Sequence, residues 1–399
     1  MSDVVILAGA RTPIGRYGGT LRETHPAELG ASAARAAIDR AKLQPADIDE
    51  ILIGHARQAG SGPNPGRQVA KRTGIPITAP AQTINQACAS GLQAVALGAQ
   101  AILTGQSSIV LAGGVESMSR MPYLIDSEDA RWGHRMGNFA LVDAMYRDGF
   151  FCPLANLLMG QTAEVLARQY GITREQSDAY ALDSQHKAEA AIAAGRFKDE
   201  ITAAPGKDAK GKPVMLDADE HPRAGTTIES LRKLPLVFEP VDGHRGIITA
   251  GSSSGITDGG AAVVLASGEE ARRRGLAPMA RILGWATVGV EPRLMGIGPV
   301  PAMKKLFART GLSIADFDLV ELNEAFAPQV LSVLSDVPID PARLNVNGGA
   351  IALGHPIGAT GARILVTLLY EMSRRHARRG LATLCVSGGL GIAMAVERM

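Results

Sequence analysis

Short apolar runs bounded by glycine or polar residues recur along this chain, with longer stretches of helical periodicity between them. Val4–Ala8, Glu50–Ile53, Ser108–Ala112 and Ala261–Ala266 have the length and flanks of buried strands. Pro26–Ala41, Gly66–Thr73 and Gly91–Thr104 read as helices. Strands apolar on both faces, alternating with helices, predict an α/β architecture with covered sheets.

The pattern repeats over a long range. Residues 45–54 (PADIDEILIG) resemble residues 314–323 (IADFDLVELN), a shift of 269 positions. Each copy predicts a helix end, an Asp turn and a buried strand. A glycine-rich turn then opens a helix in each half, at Cys88-Ala89-Ser90-Gly91 and at His355-Pro356-Ile357-Gly358, and Cys88 and His355 stand 267 positions apart. A Gly-Gly turn is expected after each helix, at Gly113-Gly114 and at Gly388-Gly389. A duplication this long predicts two similar domains rather than a solenoid of short units. Their equivalent turns would meet at one interface, with a nucleophile and its base drawn from opposite halves. Residues 118–249 break the pattern. They hold Met118, Met121, Met136, Met145 and Met159 together with most of the Tyr and Phe. This stretch reads as a lid or binding insertion, and its charged segment around Lys207–Lys212 as a solvated hairpin or loop.

Composition narrows the class. The chain has 399 residues and a net charge of +2, with no long basic stripe, which excludes a nucleic-acid binder as a first reading. The basic runs Arg272–Arg274 and Arg374–Arg379 read as solvated helix ends. Three cysteines form neither a disulfide framework nor a zinc spacing, so a reducing compartment and no metal are expected. No apolar run reaches the roughly 18 residues of a membrane span. The leading segment lacks the pattern of a secretory signal, and a cytoplasmic location is expected.

The candidate chemistry lies at the glycine turns. Cys88 falls where an apolar segment gives way to a helix, and there backbone N–H groups and the macrodipole favour a thiolate. His355 is framed by Gly354 and Pro356, a frame that moves it from an ordinary buried histidine toward a catalytic one. Cys385 ends a strand-like run before Ser387-Gly388-Gly389. It reads either as a small buried hydrophobe or as a group beside an oxyanion-type turn. Asn323 follows a strand and reads as a helix N-cap or a site residue. Cys152, with no glycine frame, reads as packing.

With these motifs in hand, the chain resembles the thiolases, the acetyl-CoA acyltransferases. The resemblance runs over nearly the whole length. It includes residues 9–15 (GARTPIG), 113–119 (GGVESMS), 159–164 (MGQTAE), 249–255 (TAGSSSG) and 323–326 (NEAF), besides the Cys88, His355 and Cys385 motifs. It implies the thiolase fold: two similar βαβαβαββ halves in a five-layered αβαβα arrangement with an inserted loop domain. The units would be 1–268, with the insertion at about 118–249, and 269–399. It implies reversible Claisen condensation of acetyl-CoA with an acyl-CoA, or thiolytic cleavage of a 3-ketoacyl-CoA. Cys88 would carry the acyl group, His355 take its proton, and Cys385 serve as the acid/base at the α-carbon. Asn323 would hold a water that forms one oxyanion site with His355, and the backbone N–H groups of Cys88 and Ser387 would form the second. Arg223, Ser230 and Ser254 would contact CoA, and Met159, Met295 and Phe326 would line the acyl end. CoA would be a substrate, with no permanently bound cofactor, and the assembly a homodimer or homotetramer. Two features depart from the family's habit: Ser387 where glycine is common, and Leu158 where short-chain members often carry histidine. The alternatives are a decarboxylating condensing enzyme of the ketoacyl-synthase type and a CoA-binding subunit without chemistry. The cysteine at 385, where that type has a second histidine, weighs against the former.

Overall fold

The computed structural model describes residues 3–399; Met1 and Ser2, which open the first expected unit, lie outside the described residues. Nine strands form the path of one sheet: β1 (Val4–Arg11), β2 (Glu50–His55), β3 (Ala81–Ile84), β4 (Ile109–Ser117), β5 (Thr257–Ser267), β6 (Ala280–Gly289), β7 (Leu319–Leu322), β8 (Arg379–Val386) and β9 (Leu390–Arg398). Their order is β7-β8-β9-β6-β1-β5-β4-β2-β3, and a two-residue strand, Gly15–Arg16, pairs with β5 off this path. The pairs β2/β3, β2/β4 and β7/β8 are parallel and the others antiparallel. The two halves of the sheet meet only where Val5 faces Arg281 and Ile6 faces Ala280.

Eight helices matter for the site: α1 (Pro26–Arg40), α2 (Pro65–Thr73), α3 (Ser90–Leu103), α4 (Met159–Tyr170), α5 (Arg174–Ala193), α6 (Pro299–Thr310), α7 (Ala327–Asp336) and α8 (Ile357–Arg375). Helices α3 and α8 pack on each other between the two half-sheets, α1 and α2 cover the outer face of the first half, and α6 covers that of the second, with α7 beside it. The result is the expected five-layered αβαβα arrangement. The central layer carries the largest core, where Leu92, Val95 and Ala99 of α3 meet Ile364, Leu365 and Leu368 of α8. Burying apolar surface on both faces of each sheet is what its nearly unbroken apolar strands require.

The duplication is visible in local detail. Pro45–Asp47 and Ile314–Asp316 are both single 3-10 turns. Asp47 accepts the Gln44 N–H at 2.7 Å and Asp316 the Ser313 N–H at 2.8 Å, so one side-chain cap is used twice. Ser90 and Ile357 open α3 and α8, and they stand 267 positions apart as Cys88 and His355 do.

One expectation is corrected. Gly113 and Gly114 are not a turn; they lie inside β4. A Cβ on Gly113 would lie 2.2 Å from the Ala261 oxygen, and one on Gly114 2.1 Å from the Gly358 oxygen. Glycine is needed there because backbone of the paired strand β5 crowds Gly113 and backbone at the start of α8 crowds Gly114. Gly388-Gly389 is a turn, with φ of +86° and +85°. The charged insert segment does form a hairpin, Ala204–Lys207 against Pro213–Leu216. No helix among the described residues is long and apolar enough to cross a membrane.

The closest approach in the central layer is backbone on backbone. A Cβ on Gly91 would sit 2.8 Å from the Ala362 nitrogen, and one on Gly361 2.5 Å from the Leu92 nitrogen. Overpacking of this kind costs about 1–3 kcal/mol. Gly361→Ala is therefore expected to lower stability by about that amount, read as a drop in denaturant midpoint at unchanged m-value.

Candidate active site

Cys88 is presented by a strained turn. After β3, the Asn85 side chain accepts the Ala87 N–H at 3.0 Å and donates to the Ala56 carbonyl at 3.1 Å. This holds Ala87 at φ +45°, a conformation unfavourable for a residue with a Cβ by about 1–2 kcal/mol. A 3-10 turn, Ala87–Ala89, carries Cys88 into α3, and the Ser90 hydroxyl closes it by donating to the Ala87 carbonyl at 2.6 Å. Cys88 is half-buried against Ala56, Met118, Met145 and Ile357. The expected thiolate is not the resting form. Burial pushes the thiol above its ordinary value, and this outweighs the opposing pull of the Arg57 charge and the N–H groups of Ser387 and Cys88.

His355 comes from the matching turn of the second half. Gly354 has φ +102°, and the His355 N–H donates to the Gly255 carbonyl at 3.0 Å. The ring is 6% exposed. Its Nδ1 lies 2.6 Å from Thr360 Oγ1, and the Thr360 hydroxyl donates its single hydrogen to the Pro356 carbonyl at 2.9 Å. Thr360 can then only accept from the ring, so Nδ1 carries the proton and Nε2 presents a lone pair. Nε2 bonds to no protein group. Burial, with the charges of Arg363 and Arg57, pushes the pKa down to about 3 and keeps the ring neutral.

Cys385 lies one residue from the end of β8, opposite Gly391, and is 1% exposed. Burial raises its thiol pKa strongly, and the charge of neighbouring Cys88 adds to the shift. The next turn brings the Ser387 N–H to the Cys88 sulfur. Asn323 is not a helix cap, because α7 begins at Ala327 with Phe326 at its cap. The Asn323 side chain is buried, and neither of its amide atoms bonds to a protein group. The loop is fixed by Glu324, whose carboxylate accepts from Tyr180, Ser184, Asn345 and the Ile351 N–H at 2.7–3.1 Å.

A cavity of about 500 Å³ adjoins this group, although Cys88, His355, Cys385 and Asn323 are not among its lining residues. Met159, Phe326, Ser254 and Arg223 line it, beside Tyr146, Phe150, Leu158 and Phe238. Phe150 and Ile256 belong both to its wall and to the cluster around Cys88. Two expected contacts are displaced. Met295 is buried behind Cys385 with Ala325, flanked by Met159 and Phe326, and backs the wall rather than forming it. Ser230 lines an adjoining cavity of about 150 Å³, which shares His221, Arg223 and Ala250 with the first. The Ser230 hydroxyl already donates to the Thr227 carbonyl at 2.6 Å. Cys152 is buried packing, as expected.

Several groups were not assigned from sequence: Thr360, His221, and a buried cluster around Glu116. The Glu116 carboxylate accepts the Gly358 N–H at 2.8 Å and the Arg57 N–H at 3.2 Å, and lies 3.1 Å from His55 Nε2. It joins β4 and β2 to the first turn of α8. Glu116 and Thr360 stand within or beside quoted motifs, but their contacts are long-range and leave no local pattern.

Comparison with known proteins gives a consistent answer. The sequence model described as thiolase, N-terminal domain, matches residues 4–269, and that of thiolase, C-terminal domain, residues 276–398. Acetyl-CoA acetyltransferase of Pseudomonas aeruginosa is 49% identical over 398 residues, covering 100% of both chains. The acetyl-CoA acetyltransferase of Shinella zoogloeoides is 49% identical over 395 residues, covering 99% of each. Among solved structures, acetyl-CoA acetyltransferase of Bacillus anthracis superposes with a TM-score of 0.96 at 42% identity, covering 100% of this chain and 99% of that one. Human mitochondrial 3-ketoacyl-CoA thiolase superposes at 0.95 and 40% identity, with the same coverage.

The resting site pairs a neutral thiol with a neutral imidazole. Alkylation follows the thiolate fraction. Labelling of Cys88 by iodoacetamide is therefore expected to be slow at pH 5–6 and to keep rising through the ordinary thiol range. A rate already at its plateau near pH 6 would mean a thiolate–imidazolium pair instead.

Proposed function

Because the chain belongs to the thiolase family, we propose that its CoA-dependent acyl transfer runs through an acyl-Cys88 intermediate by a ping-pong mechanism. The observation that carries this is His355, whose Nδ1 faces Thr360 Oγ1 at 2.6 Å and whose Nε2 bonds to no protein group, in a site where burial disfavours the thiolate form of both cysteines. In the thiolytic direction Cys88 gives its proton to His355 Nε2 and its sulfur attacks the keto carbon of a 3-ketoacyl-CoA. The C2–C3 bond breaks, and the acetyl-CoA enolate takes the Cys385 proton at carbon. The imidazolium proton passes to the Cys385 thiolate. The thiol of CoA then gives its proton to His355 and attacks the acyl-Cys88 thioester, and the departing Cys88 sulfur recovers that proton. Condensation is the reverse.

The protonation states suit these roles. Cys385 starts as an acid, which burial favours, and His355 starts as a base. Oxyanion charge falls on the N–H groups of Cys88 and Ser387 at one centre and on His355 with an Asn323-held water at the other. A backbone donor tolerates the serine side chain at 387. Pantetheine would pass Ser254 in the apolar cavity, with Arg223 at its outer, exposed end toward the nucleotide and Ser230 beside it. Met159 and Phe326, backed by Met295, would hold the acyl group. The units fall at 1–268 and 269–399 with an insertion near 118–249, a division supported by the narrow seam between β1 and β6. We place the enzyme in the cytoplasm as a homodimer or homotetramer. Exposed Trp132 and Met136 of the insertion, 76% and 90% accessible, support assembly.

Substitutions at three positions test the roles. Cys88→Ala is expected to abolish ketoacyl-CoA cleavage; turnover retained in that variant would overturn the mechanism. Cys385→Ser should still form acyl-Cys88 from acetyl-CoA, read by mass spectrometry, while carbon–carbon cleavage of a 3-ketoacyl-CoA falls about 10²–10⁴-fold. Thr360→Val, which removes the acceptor for Nδ1, should lower kcat about 10–100-fold, with Thr360→Ser restoring most of it. Turnover of a malonyl thioester with CO2 release would favour the decarboxylating reading.

A further inference from the structure

Arg57 leaves β2 directly after His55 and Ala56 and is 7% exposed. Its Nη2 donates to the Gly149 carbonyl at 2.6 Å, and its Nε bonds to no protein group. Its guanidinium forms no ion pair among the described residues; the nearby carboxylate, Glu116, is engaged with the Arg57 backbone N–H, the Gly358 N–H and His55. Gly149 adjoins Phe150, which packs in the cluster around Cys88 and also lines the cavity. Ala56, the residue before Arg57, is held by Asn85 of the turn that presents Cys88. The guanidinium is thus a buried, uncompensated cation bonded to the segment over the nucleophile. A buried charge without an ion-pair partner is unfavourable unless something in the working protein compensates it.

The reaction supplies that compensation. Thiolate, tetrahedral oxyanion and enolate each place negative charge in a pocket walled by apolar side chains, while His355 is neutral at rest. We infer that Arg57 is the fixed cation of this site, a positioning residue that holds the Gly149–Phe150 segment over Cys88 and offsets the negative charge that develops there. The inference rests on Cys88 being the nucleophile. Around Cys88 the other charged or titratable groups are Glu116 from β4, which His55 from β2 contacts, Cys385 from β8, and His355 before α8, on which Arg363 of α8 acts. Glu116 opposes the thiolate, and Arg57 is the largest charge favouring it.

The pH profile of Cys88 alkylation by iodoacetamide tests the inference in the full-length enzyme, with labelling located by mass spectrometry. Arg57→Met should move the midpoint upward by about one pH unit or more and lower kcat more than it raises KM. Arg57→Gln keeps a donor for the Gly149 carbonyl but not the charge, and serves where the Met variant does not fold. It should show the same upward shift, while Arg57→Lys should stay near the wild-type midpoint. A wild-type midpoint in Arg57→Gln would overturn the inference and leave a purely structural tie. Absence of Cys88 labelling in the wild-type enzyme would instead overturn the nucleophile assignment.

Discussion

Everything in the site depends on how closely α3 and α8 approach. Their first turns touch backbone to backbone, through Gly91 against Gly358 and Ala362 and through Gly361 against Leu92. Each helix starts with the residue group that carries chemistry. Cys88 precedes α3 and His355 precedes α8, so one contact fixes how the proposed nucleophile and its proposed base stand to each other. The two-pair seam between β1 and β6 does not supply that precision. The surrounding polar brackets do the rest. Glu116 ties the start of α8 to β4, Asn85 sets the turn before α3, and Glu324 locks the loop after β7.

Desolvation dominates the electrostatics of this arrangement. A helix start and a nearby guanidinium both favour a thiolate at Cys88, yet burial wins. The same effect raises the Cys385 thiol and keeps His355 neutral. The three groups therefore rest uncharged, and charge appears only as bonds change. In such a low-dielectric site each fixed N–H group acts more strongly on developing charge than it would in water.

Much of this was legible in the sequence, for a physical reason. The β1, β2, β4 and β5 strands and α1–α3 announce themselves by local periodicity, and the duplication by a shift that the helix starts repeat at 267 positions. Cys88, His355 and Cys385 stand in glycine frames, and such frames mark where backbone must pass close. Gly113-Gly114 shows the limit of that signal. Glycine was read as a turn, but the demand came from β5 and α8 crossing a strand distant in sequence. Thr360, Glu116 and Arg57 were missed for the same reason: their roles are set by partners far along the chain or by a hydrogen-bond direction. The buried pair Arg363 and Glu321, 3.8 Å apart in the central layer, was likewise invisible, because a charged residue in an amphipathic helix ordinarily reads as its solvated face.

The uncharged resting state of Cys88 has a consequence for the enzyme's lifetime. Thiols are open to oxidation by peroxide and to attack by electrophiles, and their susceptibility follows their thiolate character. A cysteine kept protonated by its own surroundings is spared most of those encounters. On the proposed mechanism its nucleophilicity is released by His355, a residue only 6% exposed. The burial that opposes ionisation thus doubles as chemical insulation, leaving the sulfur intact between turnovers without a separate shielding device.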